Sequence, residues 1–224
     1  MTSPTLSRSA LAARIDHTIL RPEATRAEVE VVAAEAVSLG CASVCVQPGM
    51  VHFVTGVVGG RIAVCSVVGF PHGVSLSRTK ADEAAAVVAL GATEVDMVAD
   101  LAAAADGDLA TVAADVAEVR AAVPDVVLKV ILESALWSPA TLRGLSEAAV
   151  NAGADFVKTS TGFHPAGGAT PDAVRTMCEA VGRRASVKAS GGIRTRGDAL
   201  ALLEAGADRL GLSATTAVLD GLTG

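Results

Sequence analysis

The sequence predicts an α/β chain closed into a parallel (β/α)8 TIM barrel with a short N-terminal helix, residues 1–224 forming one domain. Three observations predict it. Four segments repeat one pattern, an Ala-rich helix that ends at a glycine with a strand beginning two or three residues later; the glycines are Gly40, Gly91, Gly153 and Gly206. Strand and helix alternate along the chain, which calls for parallel strands joined by right-handed crossovers. One face of those strands is polar, whereas parallel strands covered on both sides read apolar throughout, and a barrel interior accounts for that face. An open doubly wound sheet is the alternative, but no GxGxxG follows the first strand and no composition shift marks a second domain.

In chain order, Ser3 can cap a first helix with Pro4 at its first position, and Leu6, Ala10 and Arg14 follow at helical spacing. The strands after glycines are 43–46, 94–98, 156–159 and 209–212; four others, 15–18, 62–68, 126–131 and 186–189, lie between them. Helical patterns separate the strands at 25–39, 77–90, 108–123, 139–152, 171–181 and 195–205, with a shorter one at 49–57. Period-two alternation sorts the strand side chains. Val44, Val46, Val95, Met97, Leu128, Val130, Val157, Val187, Leu210 and Leu212 share an apolar face suited to packing under helices. The opposite face carries Asp16, Thr18, Ser43, Cys45, Glu94, Asp96, Lys129, Lys158, Ser186 and Lys188, several of them near strand C-terminal ends, where such barrels build their active sites.

At 224 residues, 51% of them hydrophobic, the chain has ample core for one barrel, and with 2% aromatics and no tyrosine its packing rests on Ala, Val and Leu. A net charge of −6 argues against a nucleic-acid partner, so an anionic ligand must be held locally. No apolar run approaches a membrane span, and no secretory h-region is present. Cys41, Cys45, Cys65 and Cys178 have neither CxxC spacing nor a histidine cluster nearby, which argues against a zinc site and favours a reduced, cytoplasmic setting. His17, His52, His72 and His164 form no ligand spacing.

Lysine usage points to the chemistry. Of the four lysines, Lys129, Lys158 and Lys188 sit in strands, and only Lys80 has polar sequence neighbours; arginine supplies the ordinary surface charge. Desolvation and a neighbouring cation push a strand lysine towards the neutral amine, the nucleophile that forms a Schiff base with a carbonyl. Lys158 and Lys188 lie at matching places on consecutive strands. Lys158, followed by hydroxyls and Gly162, is assigned as nucleophile, Lys188 as perturbing cation, and Asp96 as acid or base acting directly or through water. Lys129 and Glu133, four residues apart, pair either with each other or with the site; Asp16 and Thr18 either satisfy backbone or line it, and inward parity makes Cys45 a candidate lining residue. Ser190-Gly191-Gly192 and Gly211-Leu212-Ser213 follow the seventh and eighth strands, where barrels hold phosphate with backbone N–H groups; Arg194 could add charge.

With these residues in hand the chain resembles the deoxyribose-phosphate aldolase family from about Ile15 to Leu219. The motifs that carry the resemblance are Ile15-Asp16-His17-Thr18, Val44-Cys45-Val46-Gln47-Pro48, Gly69-Phe70-Pro71-His72-Gly73, Glu94-Val95-Asp96-Met97-Val98, Lys129-Val130-Ile131-Leu132-Glu133, Asp155 to Gly162, and Val187 to Arg194. The resemblance implies a class I aldolase that cleaves 2-deoxy-D-ribose 5-phosphate to D-glyceraldehyde 3-phosphate and acetaldehyde in deoxyribose phosphate catabolism, with no cofactor and no metal. It implies Lys158 as the Schiff-base lysine, Asp96 and Lys188 as its proton-transfer partners, and Cys45 near the substrate. Thr161 belongs to the nucleophile motif and is taken as substrate-binding with Asp16, Thr18, Lys129 and Glu133; Gly191, Gly192, Gly211 and Ser213 are the implied phosphate site. A homodimer is the implied assembly.

The chain departs from that pattern in three places. Some relatives carry lysine where it has Phe163 and serine where it has Ala214, and some end in a tyrosine that helps proton transfer where it ends Leu222-Thr223-Gly224. The first two bear on phosphate affinity and leave its strength open, and the third implies either a dispensable tail or slower proton exchange. Two rivals remain: another Schiff-base aldolase or transaldolase on the same barrel, and a phosphosugar-binding barrel without catalysis.

Overall fold

The computed structural model describes residues 6–220. Eight parallel strands close into a barrel: β1 (Ile15–Ile19), β2 (Ser43–Val46), β3 (Ala63–Val68), β4 (Glu94–Val98), β5 (Val127–Ile131), β6 (Phe156–Lys158), β7 (Ser186–Ser190) and β8 (Arg209–Leu212). Each pairs with its neighbours in sequence and β8 returns to β1, so the open-sheet alternative is set aside. The helices are α1 (Arg8–Ala12), α2 (Arg26–Leu39), α3 (Val51–Val58), α4 (Ser77–Ala89), α5 (Leu101–Ala105), α6 (Leu109–Ala122), α7 (Pro139–Asn151), α8 (Pro171–Val181), α9 (Arg196–Glu204) and α10 (Thr215–Leu219).

Local chemistry sets the element ends. Thr25 and Glu28 form a reciprocal capping box at the start of α2, and Thr195 and Asp198 form one at α9. Ser138 and Thr170 cap α7 and α8, each with proline in the first turn. Gly40 closes α2 at φ +69°, and Gly153, at φ +105°, leaves no room for a Cβ, which would lie 2.8 Å from Arg120 Cγ.

Several boundaries differ from the sequence expectation. Ser3 and Pro4 lie outside the described residues; the described helix begins at Arg8 behind Ser7, whose hydroxyl accepts the Ala10 N–H at 3.2 Å, so Leu6 precedes the helix. The segment expected to be helical at 49–57 is a 3-10 turn, Pro48–Met50, running into α3. β6 ends at Lys158, one residue before the expected Thr159, and the Thr159 and Ser160 hydroxyls beyond it donate to Ser190 O at 3.0 and 2.9 Å. The five-residue helices α5 and α10 are too short to show a period.

The apolar strand face packs under the helices, with all ten residues predicted for it in one continuous core. The barrel interior divides in two. On the β2–β3 side Leu20, Cys45, Cys65 and Val67 form a separate apolar cluster, joined by Phe70. On the other side lie Asp16, Glu94, Asp96, Lys129, Lys158 and Lys188, all buried.

Candidate active site

Strand register assembles the charged side. Asp96 on β4 is level with Lys129 on β5, and Lys158 on β6 is level with Lys188 on β7. Their side chains converge on the Asp96 carboxylate: Oδ2 accepts from Lys158 Nζ at 2.8 Å and Lys188 Nζ at 2.7 Å, while Oδ1 accepts from Lys129 Nζ at 2.8 Å and Cys65 Sγ at 3.1 Å. Beneath it Asp16 meets Lys188 at 2.5 Å and Arg209 at 2.6 Å, and Glu94 meets Lys129 at 2.6 Å.

For Asp16, Asp96, Lys129 and Lys188 burial is the largest single influence and disfavours the charged form, but the clustered opposite charges win. Lys129, Lys158 and Lys188 together hold Asp96 well below the usual carboxylate range, and Lys188, Lys129 and Arg209 hold Asp16 low as well. Asp16 and Asp96 raise Lys188 above the ordinary lysine value, and Asp96 leads the charges that raise Lys129. Lys188 is therefore a fixed cation: the two aspartates outweigh the desolvation that sequence reasoning expects to neutralise a strand lysine.

A cavity of about 390 Å³ opens above this layer, bordered by Lys158, Thr161, Thr18, Gly191, Gly192, Gly211 and Ser213 among the sequence candidates, and by Phe163, Arg21, Arg194 and Ala214. Lys188 and Asp96 lie fully buried below it. Asp16, Lys129, Glu133 and Cys45 do not border it. Thr18 donates its hydroxyl to Asp16 O at 2.8 Å. Lys129 and Glu133 do not pair with each other: Lys129 joins the acid cluster, and Glu133 accepts from Thr161 Oγ1 at 2.7 Å and from Thr161 N at 3.3 Å. Cys45 lies in the apolar cluster, level with Cys65; the neighbouring Cys65 side chain draws its thiol below the usual value, while burial pushes that of Cys65 well above it.

The glycines have separate reasons to be small. At Gly191, φ +88°, a Cβ would lie 2.4 Å from Ser160 Oγ; at Gly211 it would lie 3.0 Å from Lys188 Cε, so Gly211 makes room for the lysine as well as bordering the cavity.

Four features escape the sequence reading. Cys65 and Arg209 touch Asp96 and Asp16, and parity extended to the third and eighth strands turns both inward. His17, facing outward from β1, bridges Thr215 Oγ1 at 2.7 Å and Glu35 Oε2 at 3.2 Å, which ties α10 to α2; nothing in the local sequence signals that link. Lys80, despite its polar sequence neighbours, is fully buried, bonded to Asp115 at 2.8 Å and Val98 O at 3.0 Å.

Among the described residues one group has its ligating atoms close enough for a metal, Cys45, Cys65 and Asp96, within 4.8 Å of one another. The Asp96 carboxylate already takes three ammonium groups, so a cation there would meet strong repulsion. The arrangement suits carbonyl chemistry at an amine beside a fixed carboxylate and a fixed cation.

Comparison with known proteins agrees. A deoxyribose-phosphate aldolase from Mycobacterium avium is 58% identical over 222 residues, covering 97% of this chain and 99% of its own. The solved tetrameric deoxyribose phosphate aldolase from Aeropyrum pernix superposes with a TM-score of 0.89 at 37% identity, covering 96% of this chain and 91% of its own. The solved aldolase QR15 matches with a TM-score of 0.89 at 35% identity over 94% of each chain. Residues 10–219 match the family described as DeoC/LacD family aldolase, and with its buried lysine layer under an open cavity this chain belongs to that family.

Proposed function

We propose that the protein is a class I deoxyribose-phosphate aldolase, cleaving 2-deoxy-D-ribose 5-phosphate reversibly to D-glyceraldehyde 3-phosphate and acetaldehyde through a Schiff base on Lys158. One observation carries this: of the four lysines, Lys158 alone borders the cavity, while its Nζ shares Asp96 Oδ2 with the buried cation Lys188. Charge balance supports it. Asp16, Glu94 and Asp96 face Lys129, Lys158, Lys188 and Arg209, one positive charge in excess if all are ionised, and loss of a proton from Lys158 removes that excess.

The Lys158 amine attacks C1 of the open-chain sugar, and the carbinolamine loses water to give an iminium. The iminium is the electron sink, the service a divalent cation gives in metal-dependent aldolases. Asp96, with Lys188 and a water, accepts the C3 hydroxyl proton; the C2–C3 bond breaks, glyceraldehyde 3-phosphate leaves, and an enamine remains. Protonation and hydrolysis then release acetaldehyde and restore the amine. Backbone groups at Gly191, Gly192, Gly211 and Ser213 take the phosphate, with Arg21 and Arg194 at the same cavity adding positive charge. Four free cysteines suit a reducing, cytoplasmic setting, and a homodimer is the proposed assembly.

The test is chemical trapping. Incubation with deoxyribose 5-phosphate or acetaldehyde, then borohydride, leaves a reduced adduct that peptide mass spectrometry maps to Lys158 and that Lys158→Ala lacks. An adduct on Lys188 alone would reverse the lysine roles; ligand binding with no trapped lysine would favour a non-catalytic phosphosugar-binding barrel.

A further inference from the structure

Glu133 is the only non-glycine residue with a positive φ, +52°, among the described residues, and it lies buried, 1% exposed, just beyond β5. A left-handed backbone and a buried carboxylate are both unfavourable, and their coincidence beside Lys158 points to a use there. The residues around Glu133 run along the segment that leaves β6. Leu132 N donates to Lys158 O at 2.9 Å, and Ser134 N donates to Thr159 O at 2.7 Å. The carboxylate between them reaches further along, accepting from Thr161 Oγ1 at 2.7 Å and from Thr161 N at 3.3 Å. Thr161 Oγ1 in turn accepts the Phe163 N–H at 3.1 Å, so a relay runs from Glu133 through Thr161 to Phe163. A hydroxyl has one proton to give. That of Thr161 goes to Glu133, so Thr161 borders the cavity with no donor left for a substrate. From the β7 side the same segment is held by Thr159 N donating to Lys188 O at 3.0 Å and by Ser190 Oγ donating to Ser160 O at 2.6 Å.

We propose that Glu133 is a positioning residue for the nucleophile: through Thr161 its carboxylate fixes the segment beyond β6, and with it the place from which the Lys158 amine meets a substrate carbonyl. This rests on the Schiff-base function of Lys158 above. Lys158 is the last residue of β6, so the regular strand holds its backbone from one direction only and the segment from 159 to 163 holds it from the other. Attack by the amine depends on a near-attack distance, and a displacement of about 1 Å costs on the order of 100-fold in rate. The left-handed turn at Glu133 brings two flanking N–H groups and one carboxylate to bear on that segment in sequence, at residues 158, 159 and 161. Thr161 is thereby part of the frame around the nucleophile, in place of the substrate-binding role that the sequence suggests for it.

The experiment compares Glu133→Gln with Glu133→Asn. Both remove the charge; Gln keeps an acceptor at the same reach, whereas Asn, which tolerates the left-handed backbone, draws it back by one methylene. Urea unfolding first establishes that each variant is folded. Steady-state cleavage of deoxyribose 5-phosphate and the rate of borohydride-trapped iminium formation from acetaldehyde on Lys158 are then measured. Glu133→Asn lowers kcat and the trapping rate on the order of 100-fold and leaves KM near the native value. Glu133→Gln recovers most of both rates. Thr161→Val lowers kcat in the same sense, and its effect does not add to that of Glu133→Asn, because the two residues act as one unit. It also leaves the Glu133 backbone untouched, so it carries the comparison if Glu133→Asn does not fold. Equal losses in the Gln and Asn variants would assign the effect to the charge, and native rates in both would confine Glu133 to holding the fold; either result overturns the proposal. A Thr161→Val loss confined to KM and additive with Glu133→Asn makes Thr161 a substrate contact and overturns it as well. The native enzyme separates these failures from a failure of the aldolase function: if it traps no lysine, the Schiff-base function itself falls, whereas trapping in the native enzyme leaves that function standing in every other outcome.

Discussion

Gly211 shows how a residue assigned to one task performs two. Its missing side chain leaves room for Lys188 Cε, so Gly211→Ala should push that ammonium off the Asp96 and Asp16 carboxylates. A misplacement of that kind costs on the order of 100-fold in rate. Steady-state assays of deoxyribose 5-phosphate cleavage should find the loss mainly in kcat; a change in KM alone would mean that Gly211 serves the phosphate only. The lysines and Asp96 were legible because period two is strict in a strand and a polar inward residue stands out against Val and Leu. Cys65 was less so, since a thiol among valines looks like core until Asp96 is seen to accept from it. The Glu133 relay was not legible at all: it depends on a backbone turn that no local pattern announces, and Lys129 has nearer acids to pair with.

At the scale of elements, the repeated helix–glycine–strand pattern and the capping boxes made the long helices and all eight strands readable, with boundaries off by a residue or two. The single-turn helices and the start of α1 were missed because five residues carry too little periodicity. The packing of α4 on α6 was hidden as well, for it turns on Lys80 and Asp115, buried together at 2.8 Å. Lys80→Met should lower the free energy of unfolding by about 3–5 kcal/mol, since it leaves the Asp115 carboxylate buried without its cation. Lys80→Met combined with Asp115→Leu should recover much of that loss. Urea unfolding of both variants checks it, and equal losses in the two would mean that Lys80 acts mainly through Val98 O.

The whole barrel shares one charge layer, with contributions from β1, β4, β5, β6, β7 and β8. Its response to pH follows from the directions of the shifts. Asp16 and Asp96 titrate below the ordinary value of 3.8, so the unfolded chain binds more protons there. Their stabilisation is complete above that value and is lost as pH falls through the folded-state values. Lys129 and Lys188 titrate above 10.5, so theirs is complete below that value and is lost as pH rises through the folded-state values. Urea midpoints should be flat with respect to these groups between those limits and fall on both sides; Asp96→Asn should weaken the acid-side dependence. Closure itself could be inferred only from the polar face, because pairing of β8 with β1 joins residues nearly 200 positions apart; the seam carries Arg209 against Asp16 at 2.6 Å.

The division of the barrel interior has a consequence for sequence drift. On the β2–β3 side Leu20 and Val67 meet mostly apolar neighbours, so volume-matched exchanges there are nearly neutral and can accumulate one at a time. On the β4–β8 side each change strands a buried charge, so viable paths run through paired replacements and most single steps are closed. Two halves of one interior, joined where Cys65 meets Asp96 and Lys129, are thus held to different evolutionary clocks.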